Sequence, residues 1–301
     1  MTDYSQYTDT ERVLALQRYG KVHPRLLDAL LRQFGDLTGL LEASRADLLE
    51  IDGMTDDMAI RLVNASEQLP DARVYLKNLG EREIDVVTRF DAGYPQLLFE
   101  LNDPPLMLYV RGKLPEAGRR TLALIGAGEA SSGGIELTSR LAREFVDANV
   151  QIISSMSGGI DAAAHLATST AGGNSFAVIS TGFDELPQQA AMPLAIDLVR
   201  QGGVISEYAP DEAEADGTVG QSNRLIVGMA QAVVVTEMYQ TSERIHDLVQ
   251  FCAEIGKLVF FMIDPDRGAL SDEQSLQKAL DCGAVPIKGL DRVGDIVSAL
   301  V

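Results

Sequence analysis

Cysteine is almost absent from this 301-residue chain, and the two it has, Cys252 and Cys282, stand apart. Two isolated thiols build neither a zinc cluster nor a disulfide framework, so buried free thiols are the expected state. No apolar run approaches the roughly 20 residues that cross a bilayer. Residues 1–10 are polar and lack the core of a signal peptide. A cytoplasmic protein without membrane contact is expected. Cations are also scarce, 25 Lys and Arg against 44 Asp and Glu, a net charge of −19. Residues 1–115 carry 13 cations against 19 anions, and residues 116–301 carry 12 against 25. Nucleic acid is held largely by cations that neutralise its phosphates. An acidic surface therefore counts against extended DNA contact and leaves room only for a local basic pocket.

The chain has ample material for a core, with 46% hydrophobic residues, and reads as globular, not disordered. Three segments are expected: a helical module over 1–70, a connector with an edge strand over 71–115, and a Rossmann-like domain over 116–301. In the first, Leu26, Leu27, Leu30, Leu31 and Phe34 recur at helical spacing, and Ser44 is placed to cap a helix. Ile51-Asp52-Gly53-Met54 has the form of a helix-hairpin-helix turn, but Asp52, Asp56 and Asp57 surround it and would repel a phosphate. Leu69-Pro70 is expected to end the module. Pro104-Pro105 punctuates the connector, and 106–110 reads as its edge strand. Asp211 to Asp216 form a short acidic loop.

From Thr121 onward, apolar strands alternate with amphipathic helices. Strands are expected over 121–125, 151–154, 174–179, 203–206, 232–235 and 257–261. Helices are expected over 135–148, 160–170, 193–200, 222–229, 241–255 and 273–281, with 291–300 as a closing helix. This order specifies an α/β fold, a parallel sheet covered on both faces, whose ligands bind at the carboxyl ends of the strands.

The most informative run is Gly158-Gly159-Ile160-Asp161-Ala162-Ala163-Ala164-His165. It lies between an expected strand and an expected helix, where glycines admit close approach and the helix start favours an anion. Ser157, Gly158 and Gly159 are candidates to line a pocket. Gly126, Ala127, Gly128 and Ser131 follow the first strand, where backbone N–H groups could cradle a phosphate or simply make the tight turn the fold needs. Asn223 and Arg224 are placed near an expected helix start. Arg224 could hold a phosphate, stack on a base, or pair with Glu207 or Glu237. Glu237 ends a buried strand and needs a partner, whether a ribose hydroxyl, a base amine or Arg224. Asp161 reads as a helix-start carboxylate. His165 reads as a packing histidine, since no serine or cysteine nucleophile is evidently paired with it. A binding site before a catalytic one is expected, with no cofactor and no metal.

Several spaced motifs together resemble the DNA-processing protein A family, also called Smf. They are Tyr94-Pro95, Leu97-Leu98, Asp103-Pro104-Pro105, Leu108-Tyr109 and Gly112, then the glycine run at 158–165. Ser206-Glu207-Tyr208, Asn223-Arg224-Leu225-Ile226-Val227-Gly228 and Val235-Thr236-Glu237 follow in the same order. The resemblance implies an extended Rossmann fold behind an N-terminal helical module of helix-hairpin-helix or SAM-like type. It implies single-stranded DNA as ligand, a RecA-type recombinase as partner, homodimerisation and a role in natural transformation, with no catalysis. The chain departs from the family pattern at Gly126-Ala127-Gly128, at Ser157-Gly158-Gly159 and at Ser222, where arginine is usual in the family. Thr241-Ser242-Glu243-Arg244 stands where the family has a Ser-Gly-rich turn. A Rossmann-like sensor of small nucleotides and a member that keeps only a dimer or partner surface are the alternative readings. A hydrolytic version would carry a Gly-Gly-x-Gly-Thr-x-x-Glu signature, which is missing after Glu237.

Overall fold

The computed structural model describes residues 4–186, 192–215, 217–264, 266, 268 and 270–300. Asp216, the last residue of the acidic loop, and residues 1–3 of the polar N-terminus lie outside the described residues. The chain divides into two compact units, Met1–Tyr94 with Asn102–Tyr109, and Pro95–Leu101 with Val110–Val301.

The first unit carries helices α1 (Asp9–Arg18), α2 (Pro24–Phe34), α3 (Leu37–Glu42), α4 (Arg45–Leu49), α5 (Asp56–Glu67) and α6 (Leu69–Glu81), then strand β1 (Asp85–Thr88). Local sequence sets these starts. Thr8 and Glu11 form a reciprocal capping box on α1, Ser44 and Asp47 form one on α4, and Thr55 caps α5. Leu69-Pro70 opens α6 where an end was expected. Proline needs no N–H in a first helical turn, so it starts a helix as readily as it stops one. Around the hairpin-like turn at Gly53, Asp56 pairs with Arg45 and Asp57 with Arg61.

Strand β2 (Met107–Gly112) was expected as a sheet edge. In the strand order it stands between β1 and β6. The second unit then alternates β3 (Thr121–Ile125), α7 (Ser132–Asp147), β4 (Gln151–Ser155), α8 (Gly159–Thr170), β5 (Ser175–Val178), α9 (Met192–Gln201), β6 (Gly203–Ser206), α10 (Thr218–Gly228), β7 (Ala232–Val235), α11 (Glu243–Glu254), β8 (Leu258–Ile263), α12 (Glu273–Asp281), β9 (Val285–Lys288) and α13 (Val293–Ala299). Seven of its strands run in the order β6-β5-β4-β3-β7-β8-β9, and each adjacent pair among them is parallel. Strands β3, β4, β5 and β7 are buried throughout, as a sheet covered on both faces requires. Leu122, Leu124, Leu141, Phe145, Ile152 and Val234 belong to the core between sheet and helices.

The chain steps from β3 through β4 and β5 to β6 on one side, then returns past β3 to β7 and continues outward. The reversal puts a crevice at the carboxyl ends of β4, β3 and β7. Strand β9 was not foreseen: it has four residues, includes Pro286, and buries only Ile287. Cys252 is buried and Cys282 partly so, both free. Burial pushes the Cys252 thiol up to about 12. No helix among the described residues is long and apolar enough to cross a membrane.

Candidate functional site

The turns leaving β3, β4 and β7 meet at that reversal. Ala127 N donates to the Glu237 carbonyl at 2.8 Å, and Ile160 N donates to the Ala127 carbonyl at 3.0 Å. These bonds lock the first and second glycine turns against each other. Gly159 is the residue that permits it: its φ is +60°, and a Cβ there would fall against the carbonyl oxygens of Ala127 and Gly128. Gly126 is hemmed in similarly by Ile160 and the Glu237 carbonyl. Gly126, Ala127, Gly128, Gly158 and Gly159 are thus brought together, with Ser157 one residue before them.

Helix α7 begins at Ser132, earlier than the expected 135, because Ser131 caps it by accepting from Gly134 N at 3.0 Å. The fully buried Glu237 carboxylate reaches the same helix start. It accepts from Ser131 N at 2.9 Å and from the Tyr239 hydroxyl. Gly134 has no room for a Cβ because the carboxylate is already there. Tyr239 is correspondingly raised to about 12, by burial first and then by its bond to Glu237. The partner that Glu237 needs is therefore the α7 start and Tyr239, with Arg224 directed elsewhere.

Asp161 does not cap its own helix, whose cap position is Gly158 with no side-chain bond. It is wholly buried and gathers three neighbours instead. Oδ1 accepts from Gly126 N at 3.1 Å. Oδ2 accepts from the Ser155 hydroxyl and from Arg244 Nη2, the latter at 2.6 Å. An ionised carboxylate can only accept, so the Ser155 hydroxyl donates to it, with the Ser157 hydroxyl 2.8 Å from that of Ser155. Arg244 also donates to Asn223 Oδ1 at 3.3 Å, while Asn223 Nδ2 donates to the Arg244 carbonyl at 3.2 Å. Asn223 is thereby tied to the crevice through Arg244.

Arg224 is 9% exposed. It makes a two-pronged pair with Glu207, both distances 2.6 Å, and a further bond to Gln221. Helix α10 starts at Thr218, not at 222, so Asn223 and Arg224 sit in its middle turns and not at its start. Of the partners open to Arg224, Glu207 is the one it takes.

His165 is buried, with Nδ1 2.7 Å from Ser175 Oγ and Nε2 2.9 Å from the Ser155 carbonyl. A carbonyl only accepts, so Nε2 carries the proton and Nδ1 accepts from Ser175. Burial pulls its pKa below the usual value, and the neutral ring bridges α8, β4 and β5.

Beside this junction lies a cleft of about 250 Å³, lined among others by Ser157, Val178, Thr181, Leu186, Ser222 and Arg244. It opens past the ends of β4 and β5. Arg244 was the residue missed by sequence reasoning. It sits in a segment that differs from the family pattern, and nothing in its local spacing reveals a partner 83 positions away.

An extended Rossmann-like protein with glycine turns converging at a strand-order reversal is the class that this fold and site define. The DNA recombination-mediator protein A family model matches residues 85–297, more than half of the chain, and the chain belongs to that family. It is 27% identical over 228 residues to protein Smf of Synechocystis sp., covering 74% of this chain and 57% of that one. The chain spans about half the length of the first curated relatives it matches. The X-ray structure of DNA processing protein A from Streptococcus pneumoniae superposes with a TM-score of 0.77 at 23% identity, covering 96% of this chain and 98% of that one. DNA processing protein A from Helicobacter pylori, whose structure concerns its single-stranded DNA binding mode, gives 0.60 at 18% identity, covering 72% and 95%. Both likenesses establish the fold.

Proposed function

We propose that this chain binds single-stranded DNA at the carboxyl ends of β3, β4 and β5, in a DNA-processing role that belongs to natural transformation. The supporting observation is the site itself: two glycine turns locked at hydrogen-bonding distance, opening beside a cleft that holds an arginine. Ser157, Gly158 and Gly159 are the backbone and hydroxyl contacts on the β4 side. Gly126, Ala127, Gly128 and Ser131 shape the β3 side, and Asn223 orients the arginine. Arg224 and Glu237 support the site through their own pairings, with Glu207 and with the α7 start. The protein breaks no bond; it shields strands and passes them to a RecA-type recombinase, acting as a homodimer in the cytoplasm. A small-nucleotide ligand has less support, because Glu237 takes the α7 start that a free phosphate would seek.

The test is fluorescence anisotropy of the full chain against a labelled oligo-dT across a salt series. Binding in the micromolar range or tighter, with log K falling linearly in log salt, is the expected outcome, and the slope counts the phosphates engaged at about 0.7 each. No binding at low salt would sink the reading.

A further inference from the structure

We infer that Arg244 is the phosphate-contacting cation of this site, and that buried Asp161 is the residue that positions it. This rests on the DNA-binding reading above and deepens it by naming the residue that meets the strand.

Among the described residues, Arg224 and Arg244 approach the strand ends, and they differ in what they have left to offer. Arg224 spends two bonds on one carboxylate and a third on Gln221, and faces Glu207. Arg244 projects from the first turn of α11 and lines the cleft directly. Its bonds to Asp161 and Asn223 use two of the five N–H donors of a guanidinium. Its side chain keeps 19% of its surface exposed, against 0% for that of Asp161. The ion pair is therefore one-sided: the anion is sealed under the glycine turns and the cation is left at the cleft wall.

Asp161 is fixed from three directions, by Gly126 N, by the Ser155 hydroxyl and by Arg244. It holds the guanidinium in one place before any ligand arrives, which lowers the ordering cost of binding. Ser157 and Ser222 line the same cleft, the Ser222 hydroxyl donating to the Val219 carbonyl at 2.8 Å. The ligand chemistry that suits a fixed planar fork is a phosphodiester oxygen. The cleft also contains Glu214, held by the Ser180 hydroxyl at 2.9 Å. An anion entering is thus steered toward the Arg244 wall and away from that side.

Removing Arg244 alone would strand a buried charge on Asp161, so the informative variant is the double substitution Arg244→Gln with Asp161→Asn, which removes both charges together. Its fold is checked by a circular dichroism melt, and its affinity for labelled oligo-dT is measured by anisotropy across the salt series. A folded double variant that binds at least tenfold more weakly, with a log–log salt slope shallower by about 0.7, is the expected result. A lock between elements with no ligand role would leave that slope unchanged. A folded double variant with wild-type affinity and slope overturns the assignment of Arg244 while leaving the DNA-binding reading intact. If wild-type protein does not bind at all, that reading fails and this inference falls with it. Should the double variant not fold, Arg244→Lys keeps the charge but loses the fork; wild-type affinity in that variant overturns the assignment equally.

Discussion

His165 illustrates how a residue in a telling motif can serve the scaffold and still leave a measurable signature. Its ring is buried between a carbonyl and a hydroxyl, and burial holds its pKa below the unfolded value of about 6.5. Between those two pKa values the unfolded chain takes up a proton that the native ring refuses, so stability must rise with pH there. The contribution is complete above about pH 6.5 and is lost as pH falls below it. In thermal melts from pH 7.5 to 5.5, the wild type is therefore expected to lose melting temperature faster than a His165→Gln variant. Parallel curves would show that the ring does not resist protonation in the native state. Asp161 lies four residues earlier in the same motif and has the opposite character: it is charged, buried, and bonded by three separate segments.

At the scale of elements, α10 is tied to the segment after β6 by the Arg224–Glu207 pair, whose side chains are 10% and 17% exposed. Arg224→Ala would leave a mostly buried carboxylate without its cation, at a cost of about 3 kcal/mol. Adding Glu207→Gln removes the stranded charge and should recover much of that loss. Urea unfolding of the two single variants and the double closes the cycle, and additive losses would mean that the pair is not coupled. This pairing also marks where sequence reasoning ends. The strand–helix alternation after Thr121 was legible because buried parallel strands leave continuous apolar runs and their helices leave a 3.6-residue period. Among the described strands, β9, short and mostly exposed, escaped it. The glycine turns were legible because close backbone approach demands glycine at 159. Pairings were not: whether Arg224 takes Glu207 or Glu237, and whether Asp161 caps its helix or holds Arg244, depends on how elements far apart in the chain are packed. Spacing carries no record of that. Leu69-Pro70 failed for a local reason, since proline marks both ends of helices.

Across the whole molecule, the net charge of −19 sets two opposed responses to salt. Self-repulsion of an acidic chain weakens its compact state and is relieved as ions screen it. Attraction between a cationic wall and a phosphate is weakened by the same ions. From 20 to 200 mM sodium chloride the melting temperature is expected to rise while affinity for oligo-dT falls. A melting temperature that falls over that range would contradict the first half. It would mean that ion pairs such as Arg224–Glu207 outweigh the surplus of negative charge.

The Glu237 carboxylate at the start of α7 has a bearing on how the protein is made ready. A glycine turn facing a helix start carries an unbalanced positive field, and in many folds that field waits for a dissolved ion or a ligand to quiet it. Here the strand next in space supplies the balancing charge from within the chain, along with a tyrosine hydroxyl to hold it. The ligand-free protein therefore has no vacancy to fill at that turn. Its first crossover is complete without a ligand, and occupancy of the neighbouring cleft need not be coupled to folding.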